Sequence, residues 1–154
     1  MLRVARIERA GRWPREEARG TVTLAYDDRH RRRLRLVSDA GEPFLLDLLR
    51  AELLAEGDGL ALSDGGWLVV KAAPEALIEV TAPSPALLMR LAWHIGNRHL
   101  PAQIEAERIL VRDDHVIAAM LAGLGATLRP VRAAFTPEGG AYDAAPHNHE
   151  HDHG

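Results

Sequence analysis

The sequence contains no cysteine, which excludes disulfides, iron–sulfur clusters and thiolate zinc sites together. Long apolar runs are also missing: none approaches the roughly 20 residues a helix needs to span a bilayer. The opening Met1-Leu2-Arg3-Val4-Ala5-Arg6 alternates charge with apolar residues and has no signal-peptide core, so the cytoplasm is the expected compartment and no membrane is expected as a partner. A strong excess of either charge is lacking, and a net −3 offers no general attraction to nucleic acid. There is no Gly-x-Ser-x-Gly, no phosphate-binding loop and no His-Glu-x-x-His. Aromatic residues are absent from Arg29-His30-Arg31-Arg32-Arg33, the only dense basic patch. Without rings to stack on bases, that run reads as the solvated end of a hairpin, with Asp27 and Asp28 beside it.

Histidine is what the chain has in excess. Four of its eight histidines, His147, His149, His151 and His153, fall in the last eight residues and alternate with Asn148, Glu150 and Asp152. So polar a tract cannot bury enough surface to order itself. Short His-rich tracts are metal-binding by composition, whereas purification tags are usually uninterrupted runs.

With 154 residues, 47% of them hydrophobic, the chain has room for one domain or two small ones. Residues 1–73 read as all-β. Period-two alternation marks Leu2–Ile7, Thr21–Leu24 and Arg33–Val37; Phe44-Leu45-Leu46 and Trp67–Lys71 are further apolar runs. Glycines 57, 59, 65 and 66 punctuate them, and Leu48 to Leu54 reads as a short helical turn. The expectation is a small barrel or sandwich of about five or six strands.

Ala72-Ala73-Pro74 reads as a linker, and beyond it strands alternate with helices. A strand over 76–81 precedes a helix capped by Ser84, with Pro85 in its first turn. Leu87, Leu88, Leu91, Ala92 and Ile95 make that helix's apolar stripe, with Arg90, His94, Asn97 and Arg98 on the other side. Gly96 weakens the helix and Pro101 ends it near His99. Short strands at 102–106 and 108–112 follow. A second helix is capped by Asp113 or Asp114 and stopped by Gly125, and a strand over 126–132 closes the unit. The order βαββαβ is the ferredoxin-like arrangement. The expected class is therefore α+β: an all-β domain over 1–73, a ferredoxin-like domain over 74–142 and a disordered His-rich tail over 143–154.

The central strands carry no aromatics, which argues against RNA binding of the base-stacking type. Asp113, Asp114 and His115 form the only acid–histidine cluster of the folded part. Asp113 with His115 suits a divalent metal, but two acids at a helix start also serve the helix itself. His94 and His99, five residues apart on a helix, would stand about 140° apart, too far to share one ion. One histidine per chain would then bind, with other ligands supplied from elsewhere. Imidazole and carboxylate donors suit nickel, zinc, copper or cobalt, and they cannot by themselves select nickel. Three clustered ligands with an open position are lacking, which disfavours a metalloenzyme and suits a carrier.

Trp93-His94-Ile95-Gly96-Asn97-Arg98-His99, Asp114-His115-Val116 and Phe135-Thr136-Pro137-Glu138-Gly139-Gly140-Ala141-Tyr142, in that order before a His-rich end, resemble the UreE family of nickel metallochaperones for urease assembly. The resemblance implies an N-terminal domain of peptide- or partner-binding type and a homodimer formed through the second domain. It implies Ni²⁺ as cargo, for which Zn²⁺, Cu²⁺ or Co²⁺ can substitute, held between His99 of each chain and completed by His147, His149, His151 and His153. His115 matches a peripheral metal-binding histidine of some members, and Asp113 stands where those members have another histidine. The implied recipients are the GTPase UreG and the complex of accessory proteins with apo-urease; no catalytic residue is implied. The rival readings are a general His-tail metal buffer or store without a delivery partner, and a metal-dependent hydrolase.

Overall fold

A computed structural model describes residues 1–139. They form two compact units: Met1–Glu75 together with Ala133–Phe135, and Ala76–Arg132 together with the segment from Thr136.

In the first unit, β1 (Leu2–Glu8) leads through a 3-10 turn at Arg15–Glu17 to β2 (Ala18–Leu24) and the single-turn helix α1 (Tyr26–Arg29). Then come β3 (His30–Val37), β4 (Pro43–Leu53), β5 (Gly59–Leu62) and β6 (Trp67–Ala72). They make one six-stranded sheet in the order β2-β6-β5-β1-β4-β3. Alternation sends Val4, Leu36, Phe44, Leu46 and Leu48 to one face, where Val22, Leu60, Leu68 and Val70 complete the core. Registers Val4↔Leu46 and Leu36↔Phe44 align these positions across strands. At the end of β3, Asp39 draws in the far edge strand. Its N–H donates to the Thr21 carbonyl at 2.9 Å, and its carboxylate accepts the hydroxyls of Thr21 and Thr23 at 2.5 and 2.7 Å. The Thr21 bond foremost holds the Asp39 carboxyl below its ordinary range.

Three expectations change here. The stretch from Leu48 onward is not a helical turn; β4 continues through Leu53, pairing Arg31↔Glu52 and His30↔Leu53 after a bulge. A run so rich in leucine fits either period, and the long partner strand decided it. The linker reduces to Ala73, between the end of β6 and the start of the next strand.

The third change concerns the basic run. His30, Arg31, Arg32 and Arg33 are exposed, but Arg29 is wholly buried. Its guanidinium donates from Nε to the Leu24 carbonyl (3.1 Å), from Nη1 to the Leu54 carbonyl (3.2 Å) and from Nη2 to the Phe135 carbonyl. The Tyr26 ring lies 5.9 Å from the guanidinium carbon and meets Phe135 edge-on at 5.6 Å. Burial pushes the pKa of Arg29 down, which Glu75, Tyr26 and Glu56 partly offset. Phe135, itself fully buried, joins the first unit through these contacts.

The second unit runs β7 (Pro74–Thr81), α2 (Pro85–Asn97), β8 (Gln103–Ile104), β9 (Ile109–Arg112), α3 (His115–Gly123) and β10 (Thr127–Ala134). Its sheet order, β10-β7-β9-β8, is the ferredoxin-like one. Ile78, Val80, Ile109 and Val111 on one sheet face pack with Leu91 and Ile95 of α2 and Leu121 of α3. Glu79 on β7 pairs with Arg129 and Arg108, each at 3.0 Å, and Arg108 also pairs with Glu105 at 2.8 Å. Glu105 accepts the side-chain amide of Gln103 at 2.7 Å, which turns the Gln103 carbonyl oxygen toward the Thr136 N–H at 2.9 Å. With Glu138 N–H on the Ala102 carbonyl at 2.7 Å, residues 136–138 are seated along 102–103.

Replacing Arg29 with Ala takes one donor from each of three carbonyls, of which that of Leu24 still accepts the Ala73 N–H at 2.9 Å. At about 1–3 kcal/mol for a buried carbonyl left unpaired, with the lost guanidinium packing added, we expect a loss of about 2–3 kcal/mol. A urea titration followed by near-UV circular dichroism checks this. Arg129 foremost and Arg108 hold Glu79 below the ordinary glutamate value of 4.5, and Arg108 foremost does the same for Glu105. Depressed carboxyls stabilise the fold above that value, and the contribution is lost as pH falls below it. Urea midpoints of the wild type should therefore fall faster below pH 4.5 than those of Glu79→Gln.

Candidate metal centre

The helix α2 begins as its sequence directs. Ser84 Oγ accepts the Leu87 N–H at 3.2 Å and Pro85 occupies the first turn. Leu91 and Ile95 are buried, and the opposite surface carries Met89 and Trp93, which are 73% and 63% exposed. Gly96 follows on that surface at helical spacing from Met89 and Trp93, and a Cβ there would touch nothing.

The helix ends at Asn97, so the angular relation expected of His94 and His99 does not apply; His99 lies outside the helix. The His99 N–H donates to the Gly96 carbonyl at 3.0 Å and the Leu100 N–H to the Ile95 carbonyl at 3.2 Å. That pair of bonds is the Schellman cap, whose residue after the C-cap takes a left-handed conformation and is usually glycine. Here it is His99, at φ 58, the one non-glycine residue of positive φ among the described residues. The end of α3 uses the same closure, with Gly125 N–H on the Ala122 carbonyl and Ala126 N–H on the Leu121 carbonyl, and there the slot holds glycine at φ 100. A side chain in that slot costs about 1–2 kcal/mol. His99 is exposed, so the cap carries its imidazole outward on a fixed backbone.

His94 is half-buried on α2, its backbone carbonyl accepting Arg98 Nη1 at 3.2 Å and its ring edge-on to Trp93. His115 is the first residue of α3 and exposed. Asp114, not Asp113, caps α3, accepting the N–H groups of Val116 and Ile117 at 2.8 and 3.2 Å. Asp113 is exposed, and its N–H donates to the Ala76 carbonyl. Among the described residues no three histidines, aspartates or glutamates converge as a metal site, so His99, Asp113 and His115 are not brought together. The expected ligands His147, His149, His151 and His153 lie outside the described residues. The sequence reading missed the left-handed backbone at His99. It also missed the exposed pair Met89 and Trp93, although neither belongs to the apolar stripe.

Two family models match this chain. The one for the C-terminal domain of the UreE urease accessory protein covers residues 75–154, and the one for its N-terminal domain covers residues 4–73. The chain belongs to the UreE family of urease accessory proteins. Relatives named "Urease accessory protein UreE" include one from Bradyrhizobium sp. (strain ORS 278), 50% identical over 97% of this chain and 70% of its own length. Another, from Ruegeria pomeroyi, is 51% identical over 94% of this chain and 95% of its own. A third, from Chelativorans sp. (strain BNC1), is 52% identical over 90% and 92%. UreE is an accessory protein and not an enzyme, as the missing catalytic motifs led us to expect. No helix among the described residues is long and apolar enough to cross a membrane.

Relieving the cap tests its strain. His99→Gly should stabilise the protein by about 1 kcal/mol, and Gly125→Ala should destabilise it by a similar amount, both read as urea midpoints.

Proposed function

We propose that this protein is a cytoplasmic nickel carrier for urease assembly, binding Ni²⁺ between the His99 imidazoles of two chains and completing the coordination with tail histidines. The observation that carries the reading is His99: exposed, held in a strained cap, and part of no three-ligand cluster among the described residues. A two-fold interface presents the same residue twice, so one imidazole per chain becomes a pair. The surface leading to His99 suits such an interface. Met89 and Trp93 leave apolar area exposed, and Gly96 beside them costs helix stability although no neighbour among the described residues requires a glycine there. Close approach of a second backbone supplies the reason.

The base of the tail is well placed to help. Residues 136–138 lie along Ala102 and Gln103, three and four residues after His99. From Glu138 to His147 is nine residues, a fully extended reach of about 30 Å, so tethering keeps tail imidazoles at high local concentration. Separate imidazoles release an ion one at a time, which suits hand-over to UreG and the apo-urease complex. Zn²⁺, Cu²⁺ and Co²⁺ satisfy the same donors, so nickel follows from the family and not from the ligand set. Asp113 and His115, exposed together at the start of α3, make at most a weak peripheral site. The reading as a general metal buffer shares the tail but gives no role to the strained His99.

Equilibrium dialysis with Ni²⁺ separates the two. His99→Ala removes the shared imidazole of both chains at once and should weaken the tightest site at least about tenfold, and Trp93→Glu should do the same while yielding monomers in sedimentation. Unchanged affinity and stoichiometry in His99→Ala, with all binding lost on removing 147–154, would establish the buffer instead.

A further inference from the structure

We infer that the outward face of β1, β4 and β3 docks an acidic, partly apolar segment of another protein. Every large apolar side chain that the first unit leaves exposed lies on this face: Met1, Val37 and Leu49, at 72%, 59% and 94% exposure. Strand registers arrange them in rows. Val37 stands opposite Pro43, and Met1 precedes Leu2, itself opposite Phe44, so Met1, Pro43 and Val37 form an apolar row across three strands. The next row is Arg3, Leu45 and Arg35, with Leu45 opposite both arginines. Asp47 and Arg33 follow, also paired in register. At one strand spacing of about 4.8 Å per step, Arg3 and Arg35 stand about 10 Å apart.

The charge of this face opposes that of the chain. Three arginines surround one carboxylate, Asp47, which holds Arg33 Nη1 at 2.9 Å and Arg3 Nε at 3.5 Å. Asp47 thereby orients two guanidinium groups, neither of which has a second ion pair among the described residues. Arg35 has no ion pair among the described residues. On a chain of net charge −3 this is a local basic surface, which is what an acidic partner needs to approach.

Arginines on an edge strand such as β3 also discourage sheet-to-sheet aggregation, and that alone would account for them. It would not account for Met1, Val37 and Leu49 beside them, since exposed apolar rows promote the contact such charges prevent. Nucleic acid fits poorly, because the face has no aromatic ring on which a base could stack. Carboxylates next to aliphatic side chains match both rows. The inference does not rest on nickel binding.

The probe is a short fluorescein-labelled peptide alternating Glu with Val, titrated with the full chain and followed by fluorescence anisotropy. We expect salt-sensitive binding that Arg35→Glu and Val37→Asp each weaken about tenfold. Arg12→Glu, the same charge change outside this face, should leave it unaltered. Circular dichroism confirms that each variant folds, and unchanged nickel uptake by the face variants separates this result from the behaviour of His99. The inference is overturned if the peptide fails to bind, or if its Lys-for-Glu counterpart binds as well. It is equally overturned if oligothymidylate or phosphatidylglycerol vesicles bind more tightly, or if the two substitutions change nothing.

Discussion

Two backbone hydrogen bonds close α2, and they force the residue after its C-cap into a conformation that L-amino acids avoid. The role proposed for His99 rests on that closure. Had the slot held glycine, as it does after α3, the helix would end as well and more cheaply. A histidine there has its backbone fixed by the Gly96 and Ile95 carbonyls while its ring stands outside the helix. Strain concentrated at one exposed, chemically capable residue is what function, not folding, asks for.

A second constraint works in the first unit. Arg29 is buried among the carbonyls of three separated segments, ending β2, following β4 and closing the chain's return at Phe135. A guanidinium can serve three acceptors in different directions because its N–H donors form a rigid fork. The same chemistry recurs on the second unit's sheet, where Glu79 joins Arg129 and Arg108, and Glu105 and Gln103 carry the chain of contacts to Thr136. In this structure arginine positions backbone as much as it supplies charge.

Elements were legible where period and punctuation agreed. Ser84 with Pro85, and Gly125 after Leu124, mark helix ends by mechanisms confined to a few residues and stand where they were read, while of the two candidate caps Asp113 and Asp114 the structure uses Asp114. The β-domain was legible in class but not in detail. Leu48 to Leu53 carries leucine at both helical and strand spacing, so only the facing β3 could decide it. Arg29 looked like its neighbours because nothing in a run of basic residues announces which one turns inward. At the site, the motif singled out His99 but concealed its backbone: a left-handed histidine has no local signature apart from glycine's absence.

By itself the sequence determined the class of the fold, the order of the second unit's elements and the residue types available to a metal. Those depend on local periodicity, capping and composition, which act over a few residues. Tertiary structure alone decided that Arg29 is buried, that Met89 and Trp93 stay exposed, and that residues 136–138 lie beside the turn after His99. It also decided that Met1, Val37 and three arginines share one surface. Each of these brings together groups far apart in the chain, and burial and register exist only once the strands have paired.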